Sequence, residues 1–161
     1  MGRTCCGVDC WPTDPAVAIV EMARVARPSG AVGAYVWDYP GEMQLMAHFW
    51  AAAVALDPDA LSLDEAARFD FCRPGPLRAL FTRAGLTDVD VGEIVVRTDF
   101  EDFDSYWTPF LGGTGTAPAY AMSLSEDART ALRDAVRARL PVRDDGSIHL
   151  TARAWAVRGT V

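Results

Sequence analysis

Trp37, Asp38 and Tyr39 stand in a row at the carboxyl end of a nearly continuous apolar run that starts at Ala31. In open α/β sheets ligands bind outside the carboxyl ends of strands, so all three are candidates for contact with a substrate. The competing reading is local: Trp37 packs on the next helix and Asp38 caps it. A second group, Tyr106, Trp107 and Phe110, shares one helical face and runs into Gly112-Gly113-Thr114-Gly115. With Gly113 and Thr114 in a flexible loop, this set reads either as an aromatic lid over an apolar acceptor or as the buried face of an amphipathic helix.

Other reactive side chains are sparse. His48 and His149 titrate near neutral pH and are candidate bases, but each also suits a structural role. Arg153 shares a strand face with His149 and Trp155, where ion pairing is the simpler reading. Cys5, Cys6 and Cys10 lack the paired spacing of a zinc site and lie far from either histidine in sequence, so no metal is expected. No residue is singled out as a catalytic acid or base.

The elements that must hold these groups follow from capping residues and periodicity. Asp14-Pro15 starts a helix that closes at Pro28-Ser29-Gly30. The run from Ala31 to Trp37 follows, apolar enough for a parallel strand covered on both faces. Met43, Met46, Ala47, Trp50, Ala51 and Val54 form an apolar stripe on a second helix, from about Glu42 to Leu56. Pro74-Gly75-Pro76 opens a third helix, capped by Gly85. Val89–Val96 reads as a strand, and a helix is expected from Asp99. Ser123-Leu124-Ser125-Glu126 reads as a capping box for a helix to Leu140, and Ile148–Val157 as a last strand. The order is α-β-α-α-β-α-α-β without a repeat or a low-complexity linker, so residues 14–161 are expected to form one domain behind an atypical tail, residues 1–13.

Composition narrows the classes of function. Half of the 161 residues are hydrophobic, enough for a real core. The net charge is -7 and the 15 cationic side chains are all arginine, spread singly, which argues against a nucleic-acid-binding surface. No apolar stretch reaches the roughly 20 residues of a membrane helix, and the start has no apolar core of a secretory signal. A cytoplasmic protein acting on a small molecule is the expectation.

The run Glu21-Met22-Ala23-Arg24-Val25-Ala26-Arg27-Pro28-Ser29-Gly30, followed by an apolar strand, resembles a signature of class I S-adenosylmethionine-dependent methyltransferases. There a helix ending in Glu-x-x-Arg-Val-x-x-Pro-Gly-Gly leads into the fifth strand; Ser29 stands in place of the first Gly. Val36-Trp37-Asp38-Tyr39, Arg73-Pro74-Gly75-Pro76-Leu77, Phe81-Thr82-Arg83-Ala84-Gly85-Leu86, Phe103-Asp104-Ser105-Tyr106-Trp107-Thr108-Pro109-Phe110 and Leu150-Thr151-Ala152-Arg153-Ala154-Trp155-Ala156 extend the similarity to methyltransferase 11-like proteins. It covers about Asp14 to Gly159.

The resemblance implies the carboxyl-terminal half of a doubly wound, Rossmann-like α/β sheet with an antiparallel strand pair and a helical insertion. It also implies methyl transfer from S-adenosylmethionine to a small-molecule acceptor, chemistry in which alignment matters more than acid–base catalysis. The family holds its donor on a Gly-rich loop after the first strand, a piece upstream of the matched region. The expectation is therefore a truncated gene product that does not bind donor alone, with no cofactor-binding residue of its own. Gly112-Gly113-Thr114-Gly115 follows a helix, so no helix N-terminus is expected to receive a ligand there. Two alternatives stay open: an accessory or substrate-binding module that pairs with a partner through the exposed edge of its fifth strand, and a non-functional fragment.

Overall fold

The computed structural model describes residues 14–161 and the backbone of Thr4–Cys6; the rest of the expected tail, residues 1–13, lies outside the described residues. The elements are β1 (Thr4–Cys6), α1 (Pro15–Val25), β2 (Ala31–Trp37), α2 (Gln44–Leu56), α3 (Glu65–Arg68), α4 (Pro74–Arg83), β3 (Thr87–Phe100), α5 (Phe103–Trp107), α6 (Thr116–Ser123), α7 (Glu126–Arg139) and β4 (Ile148–Thr160). Short 3-10 helices at Pro58–Leu63 and Thr108–Leu111 complete the set.

The sheet order is β1-β2-β4-β3. β2 is antiparallel to β4 along its whole length, from Ala31↔Thr160 to Trp37↔Ala154. β3 also runs against β4: Thr87 donates its hydroxyl to the Thr160 carbonyl at 3.2 Å, while Asp99 meets His149 at 3.0 Å. The one parallel pairing among the described residues spans three positions, Thr4↔Val32 to Cys6↔Ala34. The expected doubly wound, Rossmann-like parallel sheet is thereby overturned. Ala31–Trp37 is not covered on both faces: Val32, Ala34 and Val36 are buried while Ala31 and Tyr35 are exposed. Small residues at Ala31 and Gly33 hide that alternation in the sequence, and alternation is the mark of an antiparallel strand with one wet face. The edge of β2 expected to stand open is taken at Val32–Ala34 by Thr4–Cys6.

The chain divides into two compact units. The first comprises Met1–Asp38, Phe71–Val95 and Arg153–Val161. Asp14 starts α1 as its capping residues dictate: its Oδ1 accepts from the N–H groups of Ala16 and Val17 at 2.9 and 3.3 Å. Ile19 and Met22 of α1, Leu77 and Phe81 of α4, and Val32, Val36 and Val157 of the strands are buried in this unit. Each such side chain contributes about 1.5–3 kcal/mol over its exposed state. Ser29 turns the chain with φ 59° and donates its N–H to the Val161 carbonyl at 3.0 Å.

The second unit comprises Tyr39–Asp70 and Val96–Ala152. Its core is aromatic: Phe49 stacks on Phe110 with centroids 4.5 Å apart, and Phe103, Tyr106, Trp107 and Tyr120 are buried with them. α7 contributes Leu132 and Val136, and its N-cap is Ser125, whose hydroxyl accepts from Ala128 N–H. Ser123, where the capping box was expected to begin, instead ends α6. The helix expected from Asp99 begins later, because β3 continues to Phe100 and Asp102 provides the cap, accepting from Ser105 N–H at 2.7 Å. Among the described residues no helix is long and apolar enough to cross a membrane, and no His, Cys, Asp and Glu group could hold a metal ion.

Candidate functional site

A cavity of about 300 Å³ opens within the second unit. Tyr39, Pro40 and Gly41 form one side, on the turn that follows β2 in the chain. Met46, Ala47, Trp50, Ala51 and Val54 form another, one stripe of α2, and Leu61, Asp64 and Ala66 close the rest. Apolar walls with few polar groups suit a small organic ligand. The stripe at i, i+3, i+4, i+7 spacing reads from sequence as a core face. In the structure Met46, Ala47, Trp50, Ala51 and Val54 of that stripe line the cavity, and Trp50 is as fully buried as Phe49, Ala52 and Ala53 on the neighbouring stripe.

The polar groups are held by local structure. Asp57 caps the 3-10 turn at Asp59 N–H, and Asp64 caps α3 by accepting from Ala66 N–H at 2.8 Å. That bond uses Oδ1, and the described residues offer no donor to Oδ2. Burial pushes the Asp64 carboxyl above the usual carboxylate range, against the Ala66 hydrogen bond that pulls it down. Behind the wall, Glu65 is buried and accepts from the Trp50 indole N–H; burial likewise raises its carboxyl, opposed by its hydrogen bonds, Trp50 and Thr116 among their donors. The Tyr39 ring lies 5.8 Å from that of Phe69.

Of the residues the sequence nominates, Tyr39 alone lines this cavity. Trp37 and Asp38 belong to the first unit. Trp37 is half-buried opposite Ala154 in register. Asp38 is buried and paired with Arg153, whose Nε and Nη2 lie 2.8 and 2.6 Å from Oδ2. Arg153 also covers the Trp155 ring at 4.7 Å and reaches Glu93 at 3.6 Å. Asp38 does not cap α2, which starts at Met43 without a side-chain cap. Tyr106, Trp107 and Phe110 lie in the aromatic core, the Tyr106 hydroxyl donating to the Leu45 carbonyl at 2.7 Å. Gly113 and Thr114 are exposed, and a helix does follow them: Gly115, at φ 92°, is the N-cap of α6. Pro118 and the run of small residues concealed that helix.

The histidines are accounted for by neighbours. His149 Nδ1 lies 3.0 Å from Asp99 and from Arg97, and Nε2 lies 3.2 Å from the Ser147 hydroxyl. Asp, His and Ser in line suggest a nucleophile, but Ser147 gives its proton to Asp145 at 2.6 Å and sits in the turn that bond closes. The hydroxyl is therefore a turn donor, not an activated nucleophile. Burial, and then Arg139, lower the titration of His48. Cys72 is buried and in no disulfide; the side chains of Cys5, Cys6 and Cys10 lie outside the described residues.

No family model matches the chain, and no curated protein does. Among solved structures it is similar to the crystal structure of a protein from Bacillus halodurans C-125 provisionally assigned as a methyltransferase. The TM-score is 0.54 at 11% identity, over 98% of this chain and 68% of that one. At that identity the likeness is one of fold alone.

Proposed function

We propose that this chain takes part in methyl transfer from S-adenosylmethionine to a small-molecule acceptor, and that the acceptor sits in the cavity of Tyr39, Met46, Trp50 and Asp64. The observation that carries the reading is that cavity, apolar with one carboxylate, in a chain whose fold is methyltransferase-like over nearly its whole length. The residues present do not fit the donor. Among the described residues no Gly-rich turn joins a strand to a helix; the joints after β2 and β3 carry Asp38 to Met43 and Glu101-Asp102. Gly112 to Gly115 lie between a 3-10 helix and α6. On this proposal the chain binds the acceptor, and the donor is held elsewhere. Methyl transfer asks of the acceptor site mainly exclusion of water and alignment of the nucleophile, which an apolar cavity with one fixed polar group can supply.

Calorimetric titration of the whole chain with a panel of small apolar compounds, and separately with S-adenosylmethionine, tests this. Saturable binding of panel members that Ala51→Trp abolishes by filling the cavity is the expected result, with no saturable donor binding. Micromolar donor affinity, or turnover of labelled donor by the chain alone, would overturn the assignment of the donor elsewhere. A panel that never binds, or binds equally to Ala51→Trp, would overturn the acceptor site.

A further inference from the structure

We infer that the cavity selects a protonated amine on an apolar body, with the ammonium group facing Asp64 and the body against Tyr39, Met46 and Trp50. As the class of acceptor this rests on the reading above, with the methylated atom on the body of the ligand, since the ammonium nitrogen has no lone pair while it is protonated; as a binding property it stands alone.

Asp64 is the one charged side chain among the residues lining the cavity, and its Oδ2 has no donor among the described residues. Glu65, next in the chain, is turned into the wall and engaged by Trp50. Arg68, one turn on, is occupied elsewhere: its guanidinium covers the Phe69 ring at 5.2 Å and reaches the Thr116 hydroxyl at 3.5 Å. No arginine lines the space. An anionic ligand would meet a carboxylate and no cation to offset it, and a wholly apolar ligand would strip water from Asp64 without replacing its hydrogen bonds. A cation does neither. The walls suit the same choice, since aromatic rings and a polarisable thioether favour a positive charge with a hydrocarbon body. Burial raises the proton affinity of Asp64, a cost that a cation placed beside it relieves. The volume, about 300 Å³, sits at the small end of ligand pockets and limits the body to roughly one ring with a short chain.

Three probes of one shape distinguish the charge classes: phenethylamine, 2-phenylethanol and phenylacetate, titrated calorimetrically into the full chain at about pH 8 without donor. The amine is expected to bind about ten-fold more tightly than the alcohol, with the carboxylate weakest. Asp64→Asn keeps the α3 cap, since Asn caps as well as Asp. It is expected to cut amine affinity about ten-fold while leaving the alcohol within about two-fold. Equal affinity for amine and alcohol, an unchanged preference in Asp64→Asn, or no binding by any probe would overturn the inference. No donor is present, so such a failure removes the ligand class and leaves methyl transfer itself to the experiment above.

Discussion

The indole N–H of Trp50 donates to the carboxylate of Glu65, and both side chains are almost wholly shielded from water. One hydrogen bond ties the helix that forms the cavity wall to the short helix beside Asp64. It does not fully offset the burial of the charge: the Glu65 carboxyl is held above its ordinary value of 4.5. The folded state therefore keeps this proton at a pH where the unfolded chain has lost it, and stability falls as pH rises from about 4.5 through the folded titration. Asp64 acts with the same sign. Glu65→Gln keeps an acceptor for Trp50 and has no charge to bury. Urea unfolding from pH 4 to pH 8 should show the variant gaining on the parent once the pH passes about 4.5 and until the folded carboxyl has titrated, whereas a constant difference would contradict a buried, raised carboxyl.

Tyr106 separates a core role from a lid. Its ring is buried and its hydroxyl, also pushed upward in titration by burial, donates to the Leu45 carbonyl within the first turn of α2. Tyr106→Phe should cost about 1 kcal/mol in chemical unfolding, the usual worth of one such bond. The affinity of any cavity ligand should stay unchanged. A change in ligand affinity without loss of stability would restore the lid.

How far such roles can be read from sequence differs by element. Asp14-Pro15 announces α1 because a cap and a first-turn proline are local signals, fixed by a few neighbouring atoms. The apolar stripe of α2 was legible as a stripe, but what it faces was not. Met46, Ala47 and Ala51 would look the same against a core or a cavity, and only the packing of Phe49, Ala52 and Ala53 shows which face is sealed. Tyr39 could be singled out because it follows a strand; Asp64, which lines the same cavity, could not, since an acidic N-cap is commonplace. β2 misled because Ala31 and Gly33 erase the alternation that would have told an antiparallel strand from a buried parallel one.

Asp38 and Arg153 should be energetically coupled. Asp38 is buried and Arg153 is half-exposed with Glu93 as a further partner, so the cation is not stranded when Asp38 is lost. Asp38→Ala is expected to destabilise by about 2 kcal/mol, below the 3–5 kcal/mol of a fully enclosed pair. A double-mutant cycle with Arg153→Met should return a coupling of about 1–2 kcal/mol in thermal or urea unfolding. Additive effects would mean that the contact is incidental.

Gly159 is required for space. A Cβ at this position of β4 would stand 2.9 Å from the Leu86 Cβ and 3.4 Å from the Thr87 carbonyl oxygen, neither of which can swing aside like a side-chain tip. Gly159→Ala should therefore lower stability by about 1–3 kcal/mol despite the better strand propensity of alanine. Leu86→Gly, which removes the clashing Cβ, should make Gly159→Ala cost less than it does beside Leu86, a sign that simple propensity cannot produce.

The opposite sign is expected thirty residues into the chain, at the turn between α1 and β2. Ser29 adopts φ 59°, where an L-residue pays about 1 kcal/mol that glycine does not. Its backbone N–H, and not its side chain, bonds to Val161, so nothing in that contact needs a serine. Gly30 beside it is different: its φ is not left-handed, but a Cβ there would lie 2.7 Å from the Arg27 carbonyl oxygen. Ser29→Gly should then stabilise by about 0.5 kcal/mol after the extra unfolded-state entropy of glycine is counted, whereas Gly30→Ala should destabilise by at least about 1 kcal/mol. Chemical unfolding of the two variants in parallel decides the matter, since a destabilised Ser29→Gly would mean that the hydroxyl, and not the backbone, holds the turn.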